Sequence, residues 1–263
     1  MLRTDDTGFG NIKVIQKKGF GYGVDAVLLA AFAAGETGAR GIPEGSTAAD
    51  LGTDCGIVAF ILTHKVAGIH VTGVEKREEA ADRAREAVSL NGLEDRVRII
   101  TADVNAITAG ASDIAGGTDP ADADEGTSCL RGSFDAVVSN PPYFRRNSAI
   151  PSASGDRYIA RHETTADIGD FARAAAALLR DGGSFYLVHR PDRLADIFSA
   201  LREAGLEPKE MQMVVPSETQ AANIVLIHAV RGAGAELRML PQIAVHTPDG
   251  GYTDDIMRIY ERQ

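Results

Sequence analysis

Thr47-Ala48-Ala49-Asp50-Leu51-Gly52-Thr53-Asp54-Cys55-Gly56 reads as a short buried strand running into a turn with two glycines, and the helical periodicity from Ile57 to Val66 follows directly. Strand, glycine turn, helix opens a nucleotide-binding α/β unit. Glycines let the backbone approach a ligand, and the helix start points its N–H groups at it. The next apolar run, Val71-Thr72-Gly73-Val74, ends at Glu75, where a carboxylate on the adjacent strand tip grips a ribose diol. A third, Val97-Arg98-Ile99-Ile100, ends in Thr101-Ala102-Asp103, which places Asp103 within reach of an adenine amino group. Each acid alone is an ordinary solvated strand end, but three at the ends of consecutive predicted strands form a pattern. Dinucleotide binding fits it less well. A pyrophosphate needs G-x-G-x-x-G, whereas Gly52 and Gly56 enclose three residues, with Asp50 before them and Asp54 inside. Those carboxylates repel a pyrophosphate and suit a zwitterionic, sulfonium-bearing ligand.

A second motif follows the run Phe134-Asp135-Ala136-Val137-Val138-Ser139, which stops at Asn140-Pro141-Pro142-Tyr143. Each proline lacks an N–H and fixes φ, so the chain leaves the sheet rigidly. The Asn140 amide oxygen and the Pro141 carbonyl are then two preorganised acceptors, suited to the two N–H donors of an NH2 group. Tyr143, with Phe144 beside it, is placed to stack on a planar group, and Phe20 and Tyr22 are candidates to cover the ligand. A plain Pro-rich turn is the alternative.

Asp50-Leu51-Gly52 to Gly56, Glu75, Asp103 and Asn140-Pro141-Pro142-Tyr143 together resemble the motifs of class I S-adenosylmethionine-dependent methyltransferases that act on an NH2 nitrogen. Several further stretches are similar to the bacterial tRNA1(Val) adenine-37-N6 methyltransferase family. They are Ile15 to Phe20, Val24 to Ala30, Ile159 to Glu163, Leu187 to Pro191 and Ala221 to Ile227. The resemblance covers most of the chain outside 104–133 and implies methylation of the adenine beside a tRNA anticodon. It implies Asn140, Pro141, Pro142 and Tyr143 as the catalytic set. It implies Asp50, Gly52, Asp54, Gly56, Glu75, Asp103 and Asn140 as S-adenosylmethionine-binding residues. Relatives commonly carry Gly or Asn in place of Asp54, and often a lysine within Pro216 to Gln220. The Asn-Pro-Pro-Tyr pocket serves a protein glutamine amide equally well, and a non-catalytic cofactor- or RNA-binding scaffold is a third reading, supported by Asp54 alone.

The net charge of −10 opposes nucleic-acid binding taken as a whole. Its distribution is uneven: residues 104–133 hold Asp113, Asp119, Asp122, Asp124 and Glu125 against Arg131, and read as a flexible acidic insertion. Lys13, Lys17 and Lys18 are expected to face no nearby acid, and Arg145, Arg146, Arg157 and Arg161 oppose only Asp156. Tyr143, Phe144, Arg145, Arg146, Lys17 and Lys18 are therefore the candidate substrate-binding residues. Cys55 and Cys129 are too few for a zinc site, so no metal is expected. No apolar run reaches membrane-spanning length and no signal peptide is read, which gives the expectation of a cytoplasmic monomer or weak homodimer.

Strands are expected near 47–52, 71–75, 97–101, 134–139, 183–189, 209–215 and 223–231, and helices near 24–34, 57–67, 76–91, 167–180 and 190–204. Alternating strand and helix means a mainly parallel sheet with helices on both faces. The short link from Pro216 to Ala222 makes the last strand antiparallel, since a parallel crossover needs a dozen residues or more. The expectation is thus an α/β chain with a Rossmann-like seven-stranded sheet. It forms one domain over 1–263, with a short N-terminal extension over 1–35 that includes a hairpin around Gly8 to Phe20.

Overall fold

A computed structural model describes residues 2–17, 19, 21–109, 130–142 and 166–262. Its centre is a sheet whose parallel core is β3 (Thr47–Leu51), β4 (His70–Glu75), β5 (Val97–Thr101), β6 (Phe134–Ser139) and β7 (Leu179–His189). β8 (Leu206–Ser217) and β9 (Ile224–Arg231) complete the seven expected strands. The order is β8-β9-β7-β6-β3-β4-β5, with β9 antiparallel to both neighbours, as the short link before it requires. Among the described residues the sheet has nine strands rather than seven, because β10 (Arg238–Met239) and β11 (Ile243–His246) add parallel to the β8 edge. Two and four residues long, neither carries enough alternation to be read from sequence.

Side-chain alternation along the strands divides the core into two layers. Ala48, Val71, Val97, Ala136, Val138, Tyr186 and Val188 face α1 (Val24–Ala33), α2 (Ile57–Lys65) and α3 (Glu78–Asn91). Ala49, Leu51, Val74, Ile100, Val137, Phe185 and Leu187 face α4 (Val104–Ala109), α5 (Ile168–Leu178) and α6 (Leu194–Glu203). Ile57 through Thr63 of α2 are all buried, so this helix is apolar on every side. α3 buries only the stripe Ala80, Ala81, Ala84, Ala87 and Val88, and stops at Gly92, whose φ of 62° makes the left-handed cap. α5 begins with a reciprocal capping box in which Asp167 accepts from Asp170 N and Asp170 accepts from Asp167 N.

Three expectations need correction. The helix expected over 167–180 ends early, four residues before Gly182 and Gly183. α5 ends at Leu178, β7 starts at Leu179, and the pairing with β6 jumps from Phe134↔Leu179 to Ala136↔Ser184. The glycines lie in the resulting bulge, which Arg180 pins through its 2.6 Å bond to Asp135. The insertion is shorter than 104–133: Val104–Ala109 is helix α4, with Val104 and Ile107 buried, and Leu130 packs against the same core. Residues 110–129 lie outside the described residues. The N-terminal hairpin begins earlier than expected, pairing β1 (Leu2–Asp6) with β2 (Lys13–Lys17) around a turn that buries Phe9 completely.

β2 lies along α3. Asn91, at the C-terminal end of that helix, exchanges hydrogen bonds with the Lys13 backbone at 2.8 and 2.7 Å, and Lys17 Nζ reaches Glu79 at the N-terminal end. On the other side of the hairpin, α2 contributes Lys65, whose nearly inaccessible side chain bonds Glu36, Glu261 and the Ile259 carbonyl. Its ammonium also stands 4.9 Å from the Phe9 ring centre. Ile259 belongs to a last short helix, α7 (Asp254–Ile259).

Candidate active site

β3 is the point where the order of the parallel strands reverses, with β4 and β5 on one side and β6 and β7 on the other. Ligands of open α/β sheets bind outside the carboxyl ends of the strands at such a point. Of the residues expected from sequence, Gly52, Glu75 and Asn140 directly follow or end these strands. Leu51 stands opposite both Val74 and Ser139, which sets the Gly52–Gly56 turn beside Glu75 on one flank and Asn140 on the other. Ser139 Oγ donates 2.9 Å to the Leu51 carbonyl and ties the two strand ends together.

The turn hangs from β4. Gly52 N and Thr53 N both donate to the Val74 carbonyl, at 2.8 and 3.0 Å, and Asp54 N donates 3.0 Å to Glu75 Oε2. Gly52 and Gly56 have φ of 77° and 83°, which L side chains rarely adopt. At Gly56, which caps α2, a Cβ would also stand 2.6 Å from the Phe60 ring. Asp54 itself is left-handed, with φ of 47°, a conformation Asp tolerates better than most residues. Its carboxylate is engaged: Arg77 Nη2 bonds it at 2.7 Å and Arg83 approaches to 3.8 Å.

Glu75 is buried and accepts from Asp54 N, Arg77 N and Arg77 Nε. A carboxylate has about four acceptor positions, so one remains for a ligand hydroxyl. Asp50 is buried on the α2 face of β3 and accepts 2.6 Å from Thr53 Oγ1. Burial lifts its pKa to about 7 against the lowering effect of that bond, and the carboxylates of Glu75 and Asp54 add to the rise. Asp103 lies just past β5. Burial pushes its pKa up, but the Asn105 N–H and Lys76, at 3.0 and 2.9 Å, outweigh it and hold the group below its ordinary value. The same bond to Asn105 N starts α4.

Asn140 is half-buried, Pro141 buried and Pro142 exposed, directly after β6. Lys17 pairs with Glu79 at 2.8 Å, so the sequence expectation of a cation without a nearby acid is corrected. Tyr143, Phe144, Arg145, Arg146 and Lys18, together with Phe20, Arg157, Arg161, His162 and Glu163, lie outside the described residues. Sequence reasoning did not find Thr53, Arg77 or Gln16 at this rim. Gln16, on β2, donates through Nε2 to Cys55 Sγ at 3.8 Å, a contact that no local pattern announces. Burial pushes the Cys55 thiol up to about 12, so it remains a neutral thiol.

Among the described residues no cluster of His, Cys, Asp and Glu is able to hold a metal ion, and no helix is long and apolar enough to cross a membrane. No protein-family model matches the chain. It is 27% identical over 251 residues to a tRNA1(Val) (adenine(37)-N6)-methyltransferase of Porphyromonas gingivalis, a match covering 91% of this chain and 86% of that protein. The chain is a homologue of the tRNA1(Val) (adenine(37)-N6)-methyltransferases. A release factor glutamine methyltransferase of Chlorobaculum tepidum is 30% identical over 169 residues, but the match covers 62% of this chain and 52% of that one. The crystal structure of a predicted O-methyltransferase from Agrobacterium tumefaciens superposes with a TM-score of 0.66 over 90% of this chain and 95% of that one, at 22% identity. The homologue of the adenine-37 enzymes thus has a class I methyltransferase fold.

Proposed function

We propose that this homologue transfers a methyl group from S-adenosylmethionine to the N6 nitrogen of an adenine in tRNA, at the position beside the anticodon that its relatives' name specifies. The observation that carries the reading is the juxtaposition, at the switch point of the sheet, of the Gly52–Gly56 turn with Glu75 on one flank and Asn140-Pro141 on the other. The residues fit the cofactor. Left-handed Gly52 and Gly56 admit a ligand against bare backbone, and Glu75 retains an acceptor position for a ribose hydroxyl. When bound, S-adenosylmethionine supplies an electrophilic methyl group on its sulfonium.

The chain's own contribution is to hold the nucleophile. An adenine NH2 is conjugated with its ring and its lone pair is poorly available. Asn140 Oδ1 and the Pro141 carbonyl accept its two N–H bonds and favour a pyramidal nitrogen, which frees that pair. Positioning and electrostatics then do the work, and no strong base is required, because one N–H proton would leave only after the methylated nitrogen has become cationic and acidic. The target base leaves its stack to reach the pocket, as bases undergoing chemistry do, and Tyr143 and Phe144 stack on it. Arg145, Arg146, Lys17 and Lys18 contact the RNA backbone. Asp54 gives little support to a non-catalytic scaffold, because the turn keeps its left-handed geometry and Arg77 offsets the charge.

The test is transfer of labelled methyl from S-adenosylmethionine into total tRNA, read by nucleoside mass spectrometry. N6-methyladenosine at the anticodon loop is the expected product. The glutamine methyltransferase match supplies the second arm: label appearing in a release-factor protein instead of tRNA overturns the RNA reading.

A further inference from the structure

The N-terminal hairpin brings one group to the rim that the reading above does not use. α3 starts three residues past Glu75, so its N-terminal end stands at the rim of the site, and the bond from Lys17 to Glu79 fixes the Lys17 end of β2 there. Gln16 is the neighbouring residue, and its side chain is turned inward and 5% exposed. A primary amide offers two N–H donors and a carbonyl with two lone pairs. Among the described residues this one makes a single weak hydrogen bond, from Nε2 to the Cys55 thiol at 3.8 Å, on the turn between Gly52 and Gly56. Its Oε1 is buried and has no hydrogen-bond partner among the described residues. A Cβ on Gly21 would lie 3.7 Å from that oxygen, so Oε1 sits between the glycine turn and the segment leading into α1. A buried amide left this incompletely bonded is costly unless a ligand or an ordered water completes it.

We propose that the Gln16 amide binds the α-amino-acid end of S-adenosylmethionine, an inference that rests on the function proposed above. The chemistry matches both ends of the amide. As placed, Oε1 accepts from an ammonium. With the amide turned over, Oε1 takes the thiol hydrogen and Nε2 donates to a carboxylate. An α-amino acid carries both groups as full charges, which make the stronger hydrogen bonds to a neutral amide, whereas the adenosine end offers only neutral donors and acceptors. The hairpin is then part of the binding wall, and Gln16 is a binding residue outside the strand tips.

The experiment compares two neutral thioethers that differ in the amino-acid arm: S-adenosylhomocysteine and 5′-methylthioadenosine. Calorimetric Kd values are measured for the wild type, Gln16→Leu and Gln16→Asn. Both variants should lose at least about tenfold in affinity for S-adenosylhomocysteine, the scale of one hydrogen bond to a charged group. Their affinity for 5′-methylthioadenosine should change less than about twofold. Equal losses for both ligands would make Gln16 a mere support of the Cys55 turn, and no loss for either would place it away from the ligand; each result overturns the inference. Gln16→Asn keeps an amide and decides the question if Gln16→Leu does not fold. A wild-type chain that binds neither S-adenosylmethionine nor S-adenosylhomocysteine would instead overturn the proposed function.

Discussion

Glu75→Gln is the substitution from which most can be learned, because it keeps the shape of the side chain while removing its charge and part of its hydrogen-bond accepting capacity. The carboxylate accepts three donors: Asp54 N at 3.0 Å on one oxygen, and Arg77 N and Nε at 2.9 and 3.1 Å on the other. Glutamine has one oxygen and an NH2 that accepts nothing. If the oxygen faces Arg77, the Asp54 N–H meets the NH2. If it faces Asp54, both Arg77 donors do. The half-exposed Arg77 guanidinium can turn to water, but in either orientation one backbone N–H beside a buried side chain is orphaned. That costs about 1–3 kcal/mol of stability in the ligand-free protein. The fourth acceptor position, assigned to a ribose hydroxyl, also loses its charge, which should weaken cofactor binding by at least about 1.5 kcal/mol, more than tenfold. Urea denaturation of the ligand-free protein reads the first effect and calorimetry with S-adenosylmethionine the second. A variant within about 0.5 kcal/mol of wild-type stability would refute the hydrogen-bond accounting. A destabilised variant with unchanged affinity would make Glu75 a support for the turn and nothing more.

Asn140→Ala should bind S-adenosylmethionine within about threefold of wild type yet lose on the order of a hundredfold or more in methyl-transfer rate; single-turnover assays check this, and an active variant would sink the pocket assignment. Asp50→Asn removes a group whose folded pKa is raised, mainly by burial, from 3.8 to about 7. Between those values the folded wild type binds more protons than the unfolded chain, so wild-type stability falls relative to the variant as pH rises through that window. Melting temperatures of both proteins at several pH values test it, and a gap that does not change with pH is the contrary result. Ile107→Ala should cost about 2–5 kcal/mol, because Ile107 is 5% exposed in the core cluster on the side of the sheet where α4 packs against α5. A deletion beginning at Val104 should therefore lower the melting temperature, and an unaltered melt would return α4 to the insertion.

Local chemistry made the strand tips legible. Asp50, Gly52, Gly56, Glu75, Asp103 and Asn140 each end an apolar run or sit in a glycine turn, and parallel pairing then has little freedom about where to bring such ends. Features that depend on distant contacts were not legible. Gln16 meets Cys55, and Lys17 meets Glu79, only because β2 lies along α3. Gly182-Gly183 gives the same sequence signal for a helix stop and for a strand bulge, and only the pairing with β6 chooses between them. The start of α4 was hidden by its acidic, small-residue surroundings, although Val104 and Ile107 carry the spacing of a buried helical face.

The way the glycine turn is suspended bears on how this site tolerates change over evolutionary time. Its shape is imposed from the neighbouring strand, by the Val74 carbonyl and the Glu75 carboxylate, and owes little to its own side chains. Position 54 needs only to accept a left-handed backbone, which Gly, Asn and Asp all do. The residue there is free to drift among those three, provided that a surface cation such as Arg77 is at hand when the drift introduces a charge. Glu75 has no such latitude, because its side chain holds the turn, and Val74, whose carbonyl any residue would supply, is confined by its burial to apolar side chains, so variation among descendants of this chain should concentrate inside the turn and spare the strand that holds it.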